Sequence, residues 1–194
     1  MPKILVVDDN PDIVDLFDIV LSRKGYTVTK AGGGGQCLEI LKTSIPDLVL
    51  LDIMMEPMDG WETLQRIKSD VRTKSVPVIM LTGKPPTWDE IIAHMDNIED
   101  YAIKPVTIEG LLSLVQVFFQ NQETLIRELA QAKSAGADAA LLEEYRILRR
   151  SIGSGKTMQK VLGHQKDTID KVLAEMDERL RVLRTKYRVM EPAG

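Results

Sequence analysis

Side chains that could do chemistry follow four short apolar runs of this sequence. Asp8 and Asp9 follow the first run, Asp52 ends another, and Thr82 and Lys104 follow two more. Bland loops after such runs are normally made of Gly, Asn or Ser, so carboxylates, a hydroxyl and an ammonium group in these places need a reason. We predict that they form one active site, in which Asp52 is a nucleophile toward phosphate.

The elements that must position these residues alternate between strand and helix. Apolar, β-branched runs predict five strands, and helical spacing of apolar residues separates most of them, including a helix that Thr87 would cap and that would end near Met95. Gly32–Gly35 is expected to be a loop, and Asp59-Gly60 a turn before a helix that starts at Trp61. Such alternation predicts a parallel sheet with helices on both faces. The carboxyl ends of parallel strands share one edge, where ligands bind.

Four motifs of the chain resemble the receiver domain of two-component response regulators. VVDDN, LLDIMMEPMDG, MLTG and DYAIKP stand in that family's order and at its separations, over about residues 2–120. The resemblance implies an α/β, flavodoxin-like, doubly wound sheet of five parallel strands in the order 2-1-3-4-5. It implies that Asp52 is the phosphoacceptor, that Thr82 and Lys104 contact the phosphoryl oxygens, and that Thr82 and Tyr101 change position with the state of the site.

The resemblance also implies a divalent cation, Mg²⁺ or Mn²⁺. Asp8, Asp9, Asp52 and the backbone carbonyl of Met54 would hold it. Clustered carboxylates repel one another, and a hard cation with oxygen ligands relieves that repulsion. The resemblance further implies a cis bond at Lys104-Pro105. Because the Met54 side chain cannot orient a water molecule toward the phosphoryl group, we also expect slow self-dephosphorylation.

The composition, 44% hydrophobic and 28% charged with a net charge of −4 over 194 residues, is typical of a soluble protein. Residues 1–119 hold 11 basic and 18 acidic side chains, whereas residues 120–194 hold 14 and 11, so the two parts are expected to differ in role. Cys37, the only cysteine, is expected to pack as a small apolar residue. No segment is long enough to predict a signal peptide or a membrane span, so we expect a cytoplasmic protein without membrane contact.

The C-terminal part predicts an all-α extension, a coiled coil or helical hairpin. We expect a receiver at 1–120 and an extension at 121–194, with helices at about 107–133, 138–152 and 156–190 and a break at Gly153-Ser154-Gly155. Apolar residues recur at heptad spacing in the last helix: Leu162, Ile169, Met176, Leu183 and Met190, with Leu173, Leu180 and Tyr187 in the second position. This seam must be buried, either on the 138–152 helix or on another protomer, and we predict a homodimer through it.

Together these features predict a response regulator that a sensor histidine kinase phosphorylates and that signals to an unknown downstream protein through helical contacts. Apart from self-catalysed phosphorylation and slow dephosphorylation, no enzyme activity is expected. One alternative is a DNA-binding transcriptional regulator with an atypical helical output, although the basic cluster Arg146, Arg149 and Arg150 is expected to be a solvated helix face. Another is a phosphorelay component that uses His164. The sequence names neither the kinase, the stimulus nor the target, and it leaves open how phosphorylation affects oligomerisation.

Overall fold

The computed structural model describes residues 1–84, 87, 90, 93–162 and 166–189, without the side chains of 158–162 and 166–169. The chain forms two compact units. Met1–Pro86 and Asn97–Leu112 make the first, and Thr87–Asp96 and Ser113–Gly194 make the second. The predicted division at residue 120 stays a proposal.

The first unit is built on a sheet of five parallel strands. They are β1 (Lys3–Val7), β2 (Thr27–Ala31), β3 (Leu48–Asp52), β4 (Val78–Thr82) and β5 (Asp100–Ile103). The spatial order is β2-β1-β3-β4-β5, which confirms the predicted flavodoxin-like order. Every residue of β3 and of β4 is buried, as expected for central strands of a sheet covered on both faces.

In the described part of the chain three helices alternate with the first four strands of this sheet: α1 (Pro11–Arg23), α2 (Gly34–Thr43) and α3 (Gly60–Ser69). Asn10 caps α1 by accepting a hydrogen bond from the Asp12 amide, and Asp59 caps α3 by accepting one from Glu62. The capped turn at Asp59 confirms the predicted start of α3. Cys37 in α2 is buried, and burial raises the pKa of its thiol to about 12, so it packs as an apolar residue as predicted.

The loop predicted at Gly32–Gly35 is shorter than expected, because α2 already begins at Gly34. Gly34 is buried, and a Cβ there would collide with the Thr63 hydroxyl and meet Met58 Sδ at 3.0 Å. Glycine is therefore needed for close approach of α2 and α3 as well as for a turn.

Part of the helix predicted between Thr87 and Met95 lies outside the described residues. The Thr87 amide and hydroxyl donate to Glu90 Oε2 at 2.6 and 2.9 Å, and the Glu90 amide donates back to Thr87 Oγ1 at 3.3 Å. This reciprocal pattern is a capping box and agrees with the predicted cap at Thr87.

Among its described residues the second unit contains three long helices. They are α4 (Ile108–Ser134, of which Ser113 onward belongs to this unit), α5 (Ala139–Leu162) and α6 (Lys166–Tyr187). Their shared core is buried within one chain: Ala132, Ala137, Tyr145, Ile152, Leu180, Leu183, Tyr187 and Val189, with Leu125, Leu129, Leu141, Leu142, Leu148 and Met176 packed against it. The α6 seam is thus buried on the chain's own helices, which is the first of the two predicted arrangements. The argument for a homodimer through this seam therefore no longer holds. Leu162, Ile169 and Met190 of the predicted heptads lie outside the described residues or side chains.

The break predicted at Gly153-Ser154-Gly155 is wrong, because α5 passes through it without interruption. A Cβ on Gly155 would lie 2.6 Å from Leu173 Cδ2, so the small residue lets α6 pack directly on α5. The glycine that suggested a helix breaker is a close-packing residue.

The basic cluster on α5 is not a solvated face. Arg149 Nε donates to Glu128 Oε2 at 2.9 Å, and Arg150 Nη1 donates to the Asp96 carbonyl at 2.9 Å. Glu128 is buried and also accepts from Arg184 Nη2 at 2.8 Å. Arg146, whose side chain is 42% exposed, lies 3.8 Å from Glu143 on the same helix. Within the part of the chain that the structure describes, no helix has the length and apolar character needed to cross a membrane.

Candidate functional site

Asp52 stands at the carboxyl end of the buried central strand β3. The loop after it folds back at once, because the Gly60 amide donates to the Ile53 carbonyl at 2.9 Å. A Cβ on Gly60 would collide with the Asp52 carbonyl oxygen, so only glycine allows α3 to start against the strand end. The motif LLDIMMEPMDG therefore fixes both the carboxylate and the loop beside it.

Asp8 and Asp9 approach Asp52 from the neighbouring strand β1. One carboxylate oxygen of each residue lies within 4.8 Å of the others. Asp8 and Asp52 are buried, whereas Asp9 is exposed. The Asn10 amide donates to Asp8 Oδ1 at 3.0 Å, and the Glu56 amide donates to Asp9 Oδ2 at 3.4 Å. Both amides are backbone groups, which is why side-chain reasoning from the sequence missed them.

Lys104, which follows β5, completes the cluster. Its Nζ donates to Asp8 Oδ2 at 2.6 Å and lies 3.0 Å from Asp52 Oδ1. One ammonium against three carboxylates leaves the site with an excess of negative charge. The Lys104-Pro105 bond is cis, as the resemblance implied, and Glu56-Pro57 is cis as well.

Burial is the main influence on the charge of Asp52. It raises the pKa of the carboxyl, the Lys104 ammonium lowers it, and the neighbouring Asp8 carboxylate raises it further. Asp52 Oδ1 is buried, and no described residue donates a well-aligned hydrogen bond to it. A buried carboxylate that lies between an ammonium group and a second carboxylate is suited to bind a cation or to react.

Thr82 ends β4, where it pairs with Ile103 of β5. Its side chain is buried, and its hydroxyl donates to the Lys84 carbonyl at 2.5 Å while accepting from the Lys84 amide at 3.1 Å. The residue is thus at the predicted edge of the sheet, but its hydroxyl is hydrogen-bonded to the loop that follows.

Tyr101 is buried on β5, with its ring edge-on to Trp61 of α3 at a centroid distance of 6.2 Å. Met54 is 61% exposed, two residues beyond Asp52. The structure therefore brings Lys104 into contact with Asp8 and Asp52, places Asp9 beside them, and puts Thr82, Tyr101 and Met54 on the adjoining elements. The predicted roles of all seven stay predictions.

The chain also has clear relatives. The family model described as "Response regulator receiver domain" matches residues 4–116. The "DNA-binding dual master transcriptional regulator RpaA" of Synechocystis is 37% identical over 127 residues, which are 64% of this chain and 52% of that protein. The chain thus spans about half the length of this curated relative.

Solved structures agree with this match. The N-terminal domain of a response regulator receiver protein from Methanoculleus marisnigri is 53% identical and superposes with a TM-score of 0.53, covering 60% of this chain and 94% of that one. The response regulator TrrA of Thermotoga maritima, solved with Mg²⁺ and BeF, is 29% identical with a TM-score of 0.53, covering 60% and 97%. From its sheet order, its acidic edge and these matches, the chain belongs to the response regulator receiver domain family through residues 4–116.

Proposed function

We propose that this protein is a response regulator that accepts a phosphoryl group on Asp52 from a sensor histidine kinase and signals that state through its helical second unit. The observation that carries the proposal is the contact of Lys104 Nζ with both Asp8 and Asp52 at the acidic edge of the sheet. A structural ion pair needs one carboxylate, whereas this lysine lies between two carboxylates of a three-carboxylate cluster.

The residues present fit a divalent cation. Three carboxylates within 4.8 Å supply hard oxygen ligands, and one ammonium group, that of Lys104, offsets only part of their charge. Asp8, Asp9 and Asp52 would hold Mg²⁺ or Mn²⁺, with the Met54 carbonyl as the further ligand that the resemblance implies. When bound, such an ion neutralises charge on transferring phosphoryl oxygens.

The chain's own residues supply the rest of the reaction. A carboxylate oxygen of Asp52 forms a bond to phosphorus while the bond from phosphorus to the donor breaks, and the electron pair leaves with the donor, an imidazole or an acetate. Lys104 offers its ammonium to the phosphoryl oxygens, and Thr82 offers a hydroxyl proton. Self-phosphorylation and slow hydrolysis of the acyl phosphate are the only reactions we propose.

Acetyl phosphate with Mg²⁺ tests the proposal. Intact-mass measurement should show one added phosphoryl group that is base-labile, and chelation of the metal should nearly abolish the gain. Asp52→Asn should remove it, while Asp47→Asn should not, because Asp47 precedes the same strand at its other end and binds the Lys3 amide at 2.7 Å. Uptake at the wild-type rate by Asp52→Asn would identify another acceptor and refute the assignment.

Nucleic-acid binding stays a competing proposal, since the relative RpaA is named as DNA-binding. Two arginines of the α5 cluster are engaged inside the second unit, so that cluster gives it little support. A salt-dependent mobility shift with random-sequence DNA would favour it. The phosphorelay alternative depends on His164, which lies outside the described residues. Acid-labile phosphate on the C-terminal part would favour it.

A further inference from the structure

The segment that joins β4 to β5 belongs to the compact unit of the C-terminal helices. Residues Thr87–Asp96 fall in that unit, although Thr82 before them and Lys104 after them both lie at the acidic edge of the sheet. The connection between two site-bearing strands is therefore held by the part of the chain outside the family match.

Helix α5 holds this segment through three side chains. Ser151 Oγ donates to Asp96 Oδ1 at 2.6 Å, and Arg150 Nη1 donates to the Asp96 carbonyl at 2.9 Å. Ser154 Oγ lies 3.4 Å from the Met95 carbonyl and 3.3 Å from two carbonyls of its own helix. Both serines are fully buried, so their hydroxyls need these acceptors. We call the contacts of Met95 and Asp96 with α5 the latch.

The hydrogen bond of the Thr82 hydroxyl connects the latch to the phosphoryl site. A hydroxyl has one proton to donate, and here it goes to the Lys84 carbonyl. Donation to a phosphoryl oxygen requires that this bond be released, at the point where the connection to β5 begins. The latch fixes the other end of the same connection, four residues before Asp100 opens β5.

We propose that the C-terminal helices regulate the phosphoryl site by stabilising, through the latch, the conformation in which Thr82 is bound to Lys84. The inference rests on the proposed function, and it makes the second unit an inhibitor of phosphorylation as well as its readout. Coupling of this kind is reciprocal, so phosphorylation must weaken the latch to the extent that the latch disfavours phosphorylation.

Beryllofluoride with Mg²⁺, a phosphoryl mimic, tests this in the full chain by isothermal titration calorimetry. Ser151→Ala and Asp96→Ala should each tighten beryllofluoride binding by about threefold to tenfold, the range for one ordinary intramolecular hydrogen bond. The double variant should match the single variants, because both remove the same bond. Thr157→Ala is the matched control, since its hydroxyl binds only the Gly153 carbonyl of its own helix among the described contacts, and it should leave the affinity unchanged.

Hydrogen exchange gives a second measurement that does not depend on the variants. In the wild type, the amides of residues 93–96 should exchange faster when beryllofluoride is bound. Asp96 is exposed, so its variant perturbs no core and remains informative even if Ser151→Ala fails to fold. Unchanged or weaker binding by Asp96→Ala would overturn the latch. Failure of the wild type to bind beryllofluoride would instead overturn the proposed function.

Discussion

Glu128 is the side chain on which we expect the second unit to depend most. It is 3% exposed and accepts from Arg149 Nε and Arg184 Nη2, which come from different helices. Arg184 Nε also donates to the Tyr145 hydroxyl at 3.0 Å. One carboxylate thus compensates two guanidinium groups in the interior of α4, α5 and α6.

Glu128→Gln should lower the free energy of unfolding by about 2–4 kcal/mol. Removing one member of a buried ion pair costs roughly 3–5 kcal/mol, because the remaining charge stays buried. The expected cost is shifted to slightly lower values than that range, since the Arg149 and Arg184 side chains are 23% and 15% exposed and retain some access to water. The glutamine keeps the shape of Glu128 but turns its NH₂ toward one of the two guanidinium donors, and its neutral oxygen accepts from the other.

The chain offers a matched control in Glu144, which also pairs with an arginine across two helices. Arg179 Nε and Nη2 donate to its two oxygens at 2.5 and 3.0 Å, and the side chains are 36% and 48% exposed. An exposed pair of this kind contributes about 0.2–1 kcal/mol and weakens in salt. Glu144→Gln should therefore change stability little.

Urea unfolding followed by circular dichroism would measure both variants, and hydrogen exchange in α5 and α6 would assign the loss to the second unit. Added salt should reduce the small effect of Glu144→Gln and leave that of Glu128→Gln nearly unchanged. If Glu128→Gln costs no more than Glu144→Gln, burial is not what makes the Glu128 network important, and our reasoning fails.

Two further predictions concern the site and the α6 seam. Burial raises the pKa of Asp52, so ionisation of this carboxyl lowers the stability of the folded state. That loss is absent below the pKa of the unfolded chain and complete above the pKa of the folded chain. In metal-free protein Asp52→Asn should therefore be more stable than the wild type at pH 7, an advantage that shrinks toward pH 4. A difference that stays constant across that range would contradict the assignment. Leu180→Asp with Leu183→Asp should unfold α5 and α6, since each buried leucine contributes roughly 1.5–3 kcal/mol, whereas Val182→Asp at a 46% exposed position should not. Sedimentation together with circular dichroism would check this. A double variant that keeps its helix content but sediments with a smaller mass than the wild type would mean that the seam joins two chains.

The sheet was the most predictable part of this fold. The apolar runs predicted five strands, which the structure contains, and the resemblance implied their order. Alternation could predict that Asp8, Asp52 and Lys104 would meet, because parallel topology brings strand ends together whatever the loops do. It could not predict the acceptor of the Thr82 hydroxyl proton, the Lys84 carbonyl, because that depends on the local path of Gly83 and Lys84.

Glycine and arginine were the residues most often misinterpreted from the sequence. Gly155 suggested a helix end because glycine has low helix propensity, but the packing of Leu173 against it outweighs that cost of about 1 kcal/mol. Arg149 suggested an exposed face because arginine is seldom buried. Its partner Glu128 lies 21 residues earlier on another helix, and no local pattern connects the two.

The buried residues of the C-terminal helices limit how the protein could bind a partner. Heptads and basic residues in the C-terminal part pointed to another protomer and, more weakly, to DNA, and the structure uses both features inside the chain. Leu180 and Leu183 are buried on the chain's own helices, and Arg149 compensates a buried carboxylate. A homodimer therefore stays a prediction that needs some other surface. A phosphorylation signal that leaves through these helices has to alter their packing or their hold on Asp96, because their most apolar seam is already occupied.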